Sequence, residues 1–175
     1  MQKLFSNILG APVYEDDSLR AFNTVKDIII DPERGDMLGI VVEIRRNMII
    51  APIDIVSWGD SVRVDHRDVV TEGNEILRVE EVLKREIHIP HSKVVSEDGD
   101  SLGVVFDYSI DSNSWKLNKI FVHKVFLGLI RFETRIIPAK EIVEISKGKI
   151  VVKNNLNTIK ATEGKKVSAQ DVAVS

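Results

Sequence analysis

An internal repeat constrains the fold of this chain more than any other feature of its sequence. Residues 27–42 recur as residues 107–122, at an offset of 80, and residues 49–56 recur as residues 136–143, at an offset of 87. The hairpin between these blocks is therefore longer in the second copy. A repeat of this length predicts two equivalent structural units within the 175 residues, each with a modest core of its own.

Each copy consists of short runs of β-branched residues separated by turn residues. Residues 24–30 predict a strand that stops at Pro32, which favours a turn, and Gly35 then supplies a positive φ angle. Residues 9–14 predict an opening edge strand, and residues 38–44 predict a strand that ends at a polar hairpin tip. About five or six such strands, with no room for crossover helices, predict a small antiparallel β-barrel in each copy.

One helix is predicted between the two copies. Asn74 is placed to cap its start, and Pro90 prevents it from continuing. Its apolar residues recur at three- and four-residue spacing and share one face: Ile76, Val79, Val82 and Leu83. Two ion pairs of i,i+4 spacing are expected on the remaining surface: Glu80 with Lys84, and Glu81 with Arg85. The apolar face is expected to pack on one barrel or between both.

These elements divide the chain into four parts. The first barrel-like domain takes residues 1–73, the linker helix 74–88, and the second barrel-like domain 89–154. Residues 155–175 are polar and lack periodicity, so a flexible C-terminal tail is predicted there, with Ile159 and Val167 as its local docking points.

The order of these motifs resembles the PRC-barrel family, the small β-barrel of the photosynthetic reaction-centre H subunit and of the C-terminal domain of the ribosome maturation factor RimM. The resemblance spans residues 4–65 and 89–153. It rests on Gly10, Pro12, Val13, Asp27, Ile30, Asp31, Pro32, Gly35, Gly39, Ile50 and Pro52, and on Val94, Asp98, Gly99, Leu102, Gly103, Asp107, Ile110, Asp111, Ile137 and Pro138. It implies an all-β fold of two small antiparallel PRC-type β-barrels joined by a short helix. The second copy has Asn113, Ser114 and Trp115 where the family usually has a turn glycine, and its hairpin is longer, so a distorted barrel is expected there.

The resemblance implies a non-enzymatic interaction module, because the family has no shared catalytic set. One interpretation is a protein–protein interaction adaptor or scaffold that assembles a larger or membrane-associated complex or acts in cell division. The alternative is a ribosome- or RNA-associated maturation factor that uses the basic second domain. RNA-binding proteins usually carry aromatic stacking platforms or arginine-rich runs, whereas the basic residues here are mostly isolated lysines, so the adaptor is preferred. A protein partner is expected, and a homodimer is among the assemblies considered.

Charge is unevenly distributed along the chain. Residues 1–87 carry a net charge of −6 and residues 88–175 a net charge of +3. Opposite charges favour docking of the two halves, head-to-tail association, or contact of the basic half with an anionic partner. The alternative is a pair of independent solvated surfaces, because the excess charge is spread out.

The remaining composition suits a cytoplasmic protein. The chain has no cysteine, and therefore no disulfide framework, thiolate metal site or cysteine nucleophile. Its first ten residues lack a signal-peptide pattern, and no run approaches the ~18 apolar residues of a transmembrane segment.

No local motif predicts catalysis, a cofactor or a metal. Glycine clusters before a helix and the Gly-x-Ser-x-Gly pattern do not occur, although a triad of residues distant in sequence stays open. The turns that begin at Asp98 and Asp111 lack the continuation of a calcium loop. His88 and His91 flank Pro90, which forbids helical ligand geometry.

The lengthened hairpin is the one candidate site. Its tip, within residues 125–132, is apolar where a free-standing tip should be polar. The side chains proposed for protein interaction are Phe126, Leu127, Leu129 and Ile130. Either this hairpin folds back onto its own barrel or the inter-domain helix, or it is an exposed patch for a partner.

Overall fold

A computed structural model describes residues 1–126, 129–154 and 159–160, with side chains described for residues 1–124 and 134–154. Within these residues the chain is mostly β, as predicted. The strands of the first half, residues 1–87, are β1 (Gln2–Leu4), β2 (Pro12–Glu15), β3 (Asn23–Thr24), β4 (Asp27–Ile30), β5 (Met37–Glu43), β6 (Met48–Ile50), β7 (Ile55–Trp58), β8 (Val62–Val64) and β9 (Thr71–Glu72). The strands of the second half are β10 (Lys93–Ser96), β11 (Ser101–Asp111), β12 (Lys116–Phe126), β13 (Leu129–Pro138), β14 (Ile142–Ser146), β15 (Lys149–Val152) and β16 (Ile159–Lys160). The α-helices are α1 (Phe5–Ile8) and α2 (Leu77–Lys84), and short 3-10 helices lie at Pro52–Asp54, Arg67–Val69, Gly73–Glu75 and Ala139–Glu141.

The two halves repeat one order of neighbouring strands. In the first half, β3-β2-β8-β7 and β4-β5-β6-β9 form two four-stranded sheets. In the second half, β14-β15-β10-β11-β12-β13 is continuous within an eight-stranded sheet that also includes β1 and β16. The difference arises because β11 is one long strand, whereas residues 25 and 26 separate β3 from β4.

Two features of this order correct the expected topology. The β2–β8 and β10–β15 pairs are parallel, while the other named pairs among the described residues are antiparallel, so a wholly antiparallel arrangement was wrong. In addition, β2 lies between β3 and β8 and is not an edge strand. Strands β2 and β8 run in the same direction side by side, as do β10 and β15, which the alternation of apolar residues does not reveal.

The pairing registers repeat at the two sequence offsets. Ile28 faces Ile40 across the β4–β5 pair, and Tyr108 faces Ile120, 80 residues later, across the β11–β12 pair. Both pairs contain an irregularity at the equivalent place, just before Ile30 in one and before Ile110 in the other. The next pair repeats as well, since β5–β6 and β12–β13 match at offsets of 80 and 87.

The sheet of β4, β5 and β6 is buried on both faces, and its sequence shows why. Residues of one face, including Ile28 and Ile40, belong to a large apolar core that draws on both halves. Residues of the other face, including Ile29 and Val41, pack with Val79 of helix α2. Because neighbouring side chains of a strand point to opposite faces, uninterrupted β-branched runs such as that in β4 suit this position.

Helix α2 begins later than the sequence predicts. Its N-cap position is Ile76, and Asn74 instead lies in the 3-10 helix Gly73–Glu75, so the predicted asparagine cap was wrong. The predicted apolar face packs on the first half through Val79 and Val82, with Ile76 and Leu83 at its margin. The Glu80–Lys84 ion pair forms at 2.8 Å, whereas Glu81 pairs with Arg78 rather than with Arg85.

Both chain ends contribute to the second half. Strand β1 pairs with β11, and the side-chain hydroxyl of Ser6 donates to Asp107 at 2.6 Å. Strand β16 pairs with β13, which places Ile159 opposite Ile136. The predicted flexible tail otherwise lies outside the described residues, and so does Val167.

Candidate interaction site between the two halves

Two equivalent aspartate turns lie where the two halves meet. One side-chain oxygen of Asp31 accepts hydrogen bonds from the second and third backbone N–H groups after it, and Asp111 does the same. The turns end at Gly35 and Trp115, with φ angles of 69° and 56°. Trp115 keeps the turn geometry of the first copy, because it adopts the left-handed conformation that Gly35 adopts there. The predicted distortion of the second barrel stays a prediction.

The two turns dock against each other through reciprocal backbone hydrogen bonds. The Met37 N–H donates to the Trp115 carbonyl at 2.7 Å, and the Leu117 N–H donates to the Gly35 carbonyl at 2.8 Å. Met37 is equivalent to Leu117, and Gly35 to Trp115, so each bond is the counterpart of the other. The contact therefore has an approximate twofold symmetry.

The residues on this local axis carry opposite charges. Asp36 and Lys116 occupy equivalent positions and face each other in an isolated antiparallel bridge. The Lys116 ammonium lies 2.6 Å from one Asp36 oxygen, and the Arg34 Nε lies 3.1 Å from the other. Opposite charges directly across an antiparallel pair stabilise it, whereas like charges would destabilise it.

Helix α2 is held to the first turn by arginines. The Arg78 guanidinium donates two hydrogen bonds of 2.8 Å to the buried Asp31 carboxylate and also contacts Glu33. Arg85 contacts Glu33 as well. The Arg78 hydrogen bonds lower the pKa of Asp31, against the opposing effect of burial, and the Asp31 carboxylate raises the pKa of Arg78. These carboxylates are therefore structural anchors between the helix and the turn.

The residues that follow the same helix reach the second half. Glu86 contacts Lys147, in the turn between β14 and β15, and this hydrogen bond lowers the Glu86 pKa. His88, two residues further, lies 3.6 Å from Asp27 of β4. Burial is the main cause that raises the pKa of Asp27. The linker segment is therefore attached to both halves rather than spanning free space between them.

On one side of the local axis, two aromatic rings close the contact. Trp58 and Trp115 stack with their ring centres 5.1 Å apart and 8° between their planes. Both indoles are half-buried and pack against the large core. The Trp58 Nε1 is buried and makes no hydrogen bond in the structure.

On the other side of the axis lies an open cleft. The counterparts of Trp58 and Trp115 there are Ile145 and Gly35, and both line this cleft. Its volume is about 440 Å³, and its walls come from residues 32–35, Arg85, Lys116, Leu117, Ala139, Lys140 and residues 142–145. The side of the axis that has two indoles is filled, whereas the side that has an isoleucine and a glycine at the equivalent positions is open.

The cleft is rimmed mostly by cations. Arg34, Arg85, Lys116 and Lys140 line it, against the carboxylates of Glu33 and Glu144. Lys140 is exposed and makes no ion pair within the described part of the chain. This arrangement suits recognition of a negatively charged group more than acid–base chemistry.

The predicted interaction hairpin lies at the adjoining ends of strands β12 and β13. The backbones of Phe126, Leu129 and Ile130 belong to β12 and β13, and Phe126 faces Leu129. The side chains of these three residues, and Leu127 as a whole, lie outside the described residues. The hairpin therefore stays a prediction, and the cleft is a separate site.

The other sequence features resolve as turn chemistry or local contacts. Asp111 caps its own turn, and hydrogen bonds from Asn113 and Ser114 lower its pKa. His91 has a φ angle of 65°, and its backbone N–H donates to Val105. Within residues 1–126, 129–154 and 159–160, no three His, Asp or Glu side chains are placed to hold a metal ion.

Sequence reasoning missed the cleft and the arginine clamp. The seven-residue spacing of Arg78 and Arg85 puts them on one helix face and was an available signal for the clamp. The cleft had a signal too, in the loss of aromatic residues at the positions equivalent to Trp58 and Trp115. The loss of aromatic residues indicates a cleft only when the turns at Gly35 and Trp115 are known to be in contact.

The strand order and the site define a β-rich chain whose two halves repeat one strand order and share an apolar core. The comparison with protein families agrees for the first half: residues 1–78 contain a PRC-barrel domain. A search of curated proteins gave no match. Among the helices described, none has the length and apolar character needed to cross a membrane.

Proposed function

We propose that this chain is a non-enzymatic tandem PRC-barrel protein that acts as a protein–protein interaction adaptor or scaffold. The tandem arrangement is supported by the strand pairings of the second half, which repeat those of the PRC-barrel domain at the sequence offsets of 80 and 87. The proposed boundaries are those of the sequence prediction: barrel-like domains at residues 1–73 and 89–154, with the linker helix at residues 74–88.

The observation that carries the adaptor role is the fixed docking of the two halves around an open cleft. Reciprocal hydrogen bonds, the stacked indoles and the helix contacts attach the halves at several points. A binding surface built from two attached units costs less ordering entropy than one built from independently moving units. The open side of the contact therefore offers a pre-organised place for a partner.

Capture from the source cell tests this function. The tagged chain is cross-linked in cells, purified with and without ribonuclease, and its co-purifying proteins are quantified against an unrelated tagged β protein. The adaptor role predicts a protein that is retained near stoichiometric amounts after ribonuclease. Capture of ribosomal components that disappears with ribonuclease would instead favour the maturation-factor alternative, and absence of any enriched protein would contradict the adaptor role.

A further inference from the structure

The cleft between the halves differs from its symmetric counterpart in two independent ways. The first is the aromatic pair: the filled side has Trp58 on Trp115, whereas the open side has Ile145 and Gly35. A side chain added at Gly35 would meet only the Leu117 Cβ, at 3.7 Å. The open side therefore has room for a ring that this chain does not itself supply.

The second difference is charge. Arg34 and Lys140 of the cleft correspond to Ser114 and Ile53 on the filled side, whereas its carboxylates, Glu33 and Glu144, correspond to Asn113 and Ser57. With Lys116 on the axis and Arg85, the cleft lining contains four cations and two carboxylates. The lining of the cleft therefore carries a net positive charge, which complements an anionic partner.

The strand that lines the cleft also has a free edge. Among the described residues β14 pairs only with β15, and its Val143 is 52% exposed. An unpaired strand edge presents backbone N–H and C=O groups that an extended peptide can satisfy. A peptide that adds to this edge would direct alternate side chains toward the cleft.

From these three observations we propose that the cleft binds an extended acidic segment of a partner protein. The segment adds to the edge of β14, places one aromatic side chain in the space beside Gly35 and Ile145, and sets its carboxylates against the cationic rim. This proposal rests on the proposed adaptor function and specifies the chemistry of its partner.

A peptide titration on the full chain tests the proposal. The probe is a fluorescein-labelled peptide of sequence Glu-Glu-Val-Trp-Val-Glu-Glu, followed by anisotropy at low and high salt. Two peptide controls replace Trp by Ala, or all four Glu by Lys. A labelled single-stranded RNA of matched charge provides the comparison with nucleic acid. Binding of the acidic aromatic peptide that weakens with salt and with either peptide control is the expected result.

Matched variants then locate the binding. Lys140→Glu reverses one rim charge and should weaken the peptide about five- to tenfold. Ile53→Glu introduces the same charge at the equivalent, 92% exposed position of the filled side and should leave affinity unchanged. Gly35→Trp supplies the missing ring in a conformation that Trp115 already adopts, and should weaken binding roughly thirtyfold while the far-ultraviolet circular dichroism spectrum is retained.

The results separate this inference from the adaptor function. A peptide that fails to bind at roughly 1 mM, or binds Gly35→Trp and Lys140→Glu as well as the original chain, would overturn the cleft proposal. RNA binding in place of the peptide would overturn it too. If the cross-linked protein partner is still captured by the Gly35→Trp variant, the adaptor function stands and the cleft is not its site.

Discussion

The free energy that the Trp58–Trp115 stack contributes to stability can be compared with the cost of the backbone strain at Trp115. Trp115 has a φ angle of 56°, in the left-handed region, where a residue other than glycine costs about 1 kcal/mol. Trp115→Ala removes the indole but retains this strain. Trp115→Gly removes both, and it introduces the residue that the first copy has at the equivalent position.

The expected magnitudes follow from burial and ring contact. Complete removal of a fully buried large aromatic ring costs about 3–5 kcal/mol, and the half-buried Trp115 accounts for roughly half of that. Loss of stacking adds about 1 kcal/mol. We therefore expect Trp115→Ala to lower the free energy of unfolding by about 3 kcal/mol, and Trp115→Gly by about 2 kcal/mol, because glycine relieves the strain.

Urea unfolding followed by far-ultraviolet circular dichroism measures both losses without depending on tryptophan fluorescence. Trp58→Phe is the control, since it retains a ring and removes an Nε1 group that is buried without a hydrogen bond, so its cost should stay below about 1 kcal/mol. A Trp115→Gly variant that is less stable than Trp115→Ala would refute the strain argument. Losses well under 1 kcal/mol for both would show that the stack contributes little to the contact.

Three further outcomes are expected. Gly103→Ala should destabilise the protein strongly, because the φ angle of Gly103 is 131° and an added Cβ would lie 2.2 Å from a backbone oxygen. Gly99→Ala is the control, because a Cβ there would meet nothing within 4 Å and the variant should cost only its φ strain. The thermal midpoint should fall further for Gly103→Ala than for Gly99→Ala. Asp31→Ala should lower the urea midpoint more than Asp111→Ala, since only Asp31 also binds the arginine of helix α2, and equal losses would contradict the clamp. Hydrogen bonds from Arg67 lower the Glu15 pKa to about 2. The contribution of Glu15 to stability is therefore present above its unfolded pKa of 4.5 and is lost as the pH falls toward 2. Glu15→Gln should reduce the loss of stability over this pH range, as measured by urea unfolding.

The sequence was sufficient for the class of fold and for the registers of the repeated strands. The offsets of 80 and 87 recur in the pairings of Ile40 with Ile50 and of Ile120 with Ile137. Register follows the repeat because a shift by one residue would move every core side chain to the opposite face. The polar residues of a turn and the β-branched residues of a strand are local signals, so they can be read without knowledge of the fold.

The parallel pairs and the polar contacts could not be read in the same way. Val13 meets Val62 across a parallel pair, and nothing local in either strand specifies the other as its partner. Arg78 is 47 residues from Asp31, and their ion pair depends on how helix α2 lies across the sheet. Long-range partners of this kind are set by packing, which the pattern of one segment does not contain.

Equivalent positions that differ between the halves locate the candidate site better than either half alone. Positions held alike, such as Asp31 and Asp111, maintain the turns and hence the contact, so they are needed whatever the protein binds. The difference between Trp115 and Gly35 is not required by the turn, because both residues adopt the left-handed conformation that the turn needs. The altered ring and the accompanying cations lie together on one side of the axis. The missing ring and the added cations occur together beside the edge of β14, which is unpaired on one side among the described residues. A bound partner segment explains this combination better than unrelated sequence changes on two surfaces.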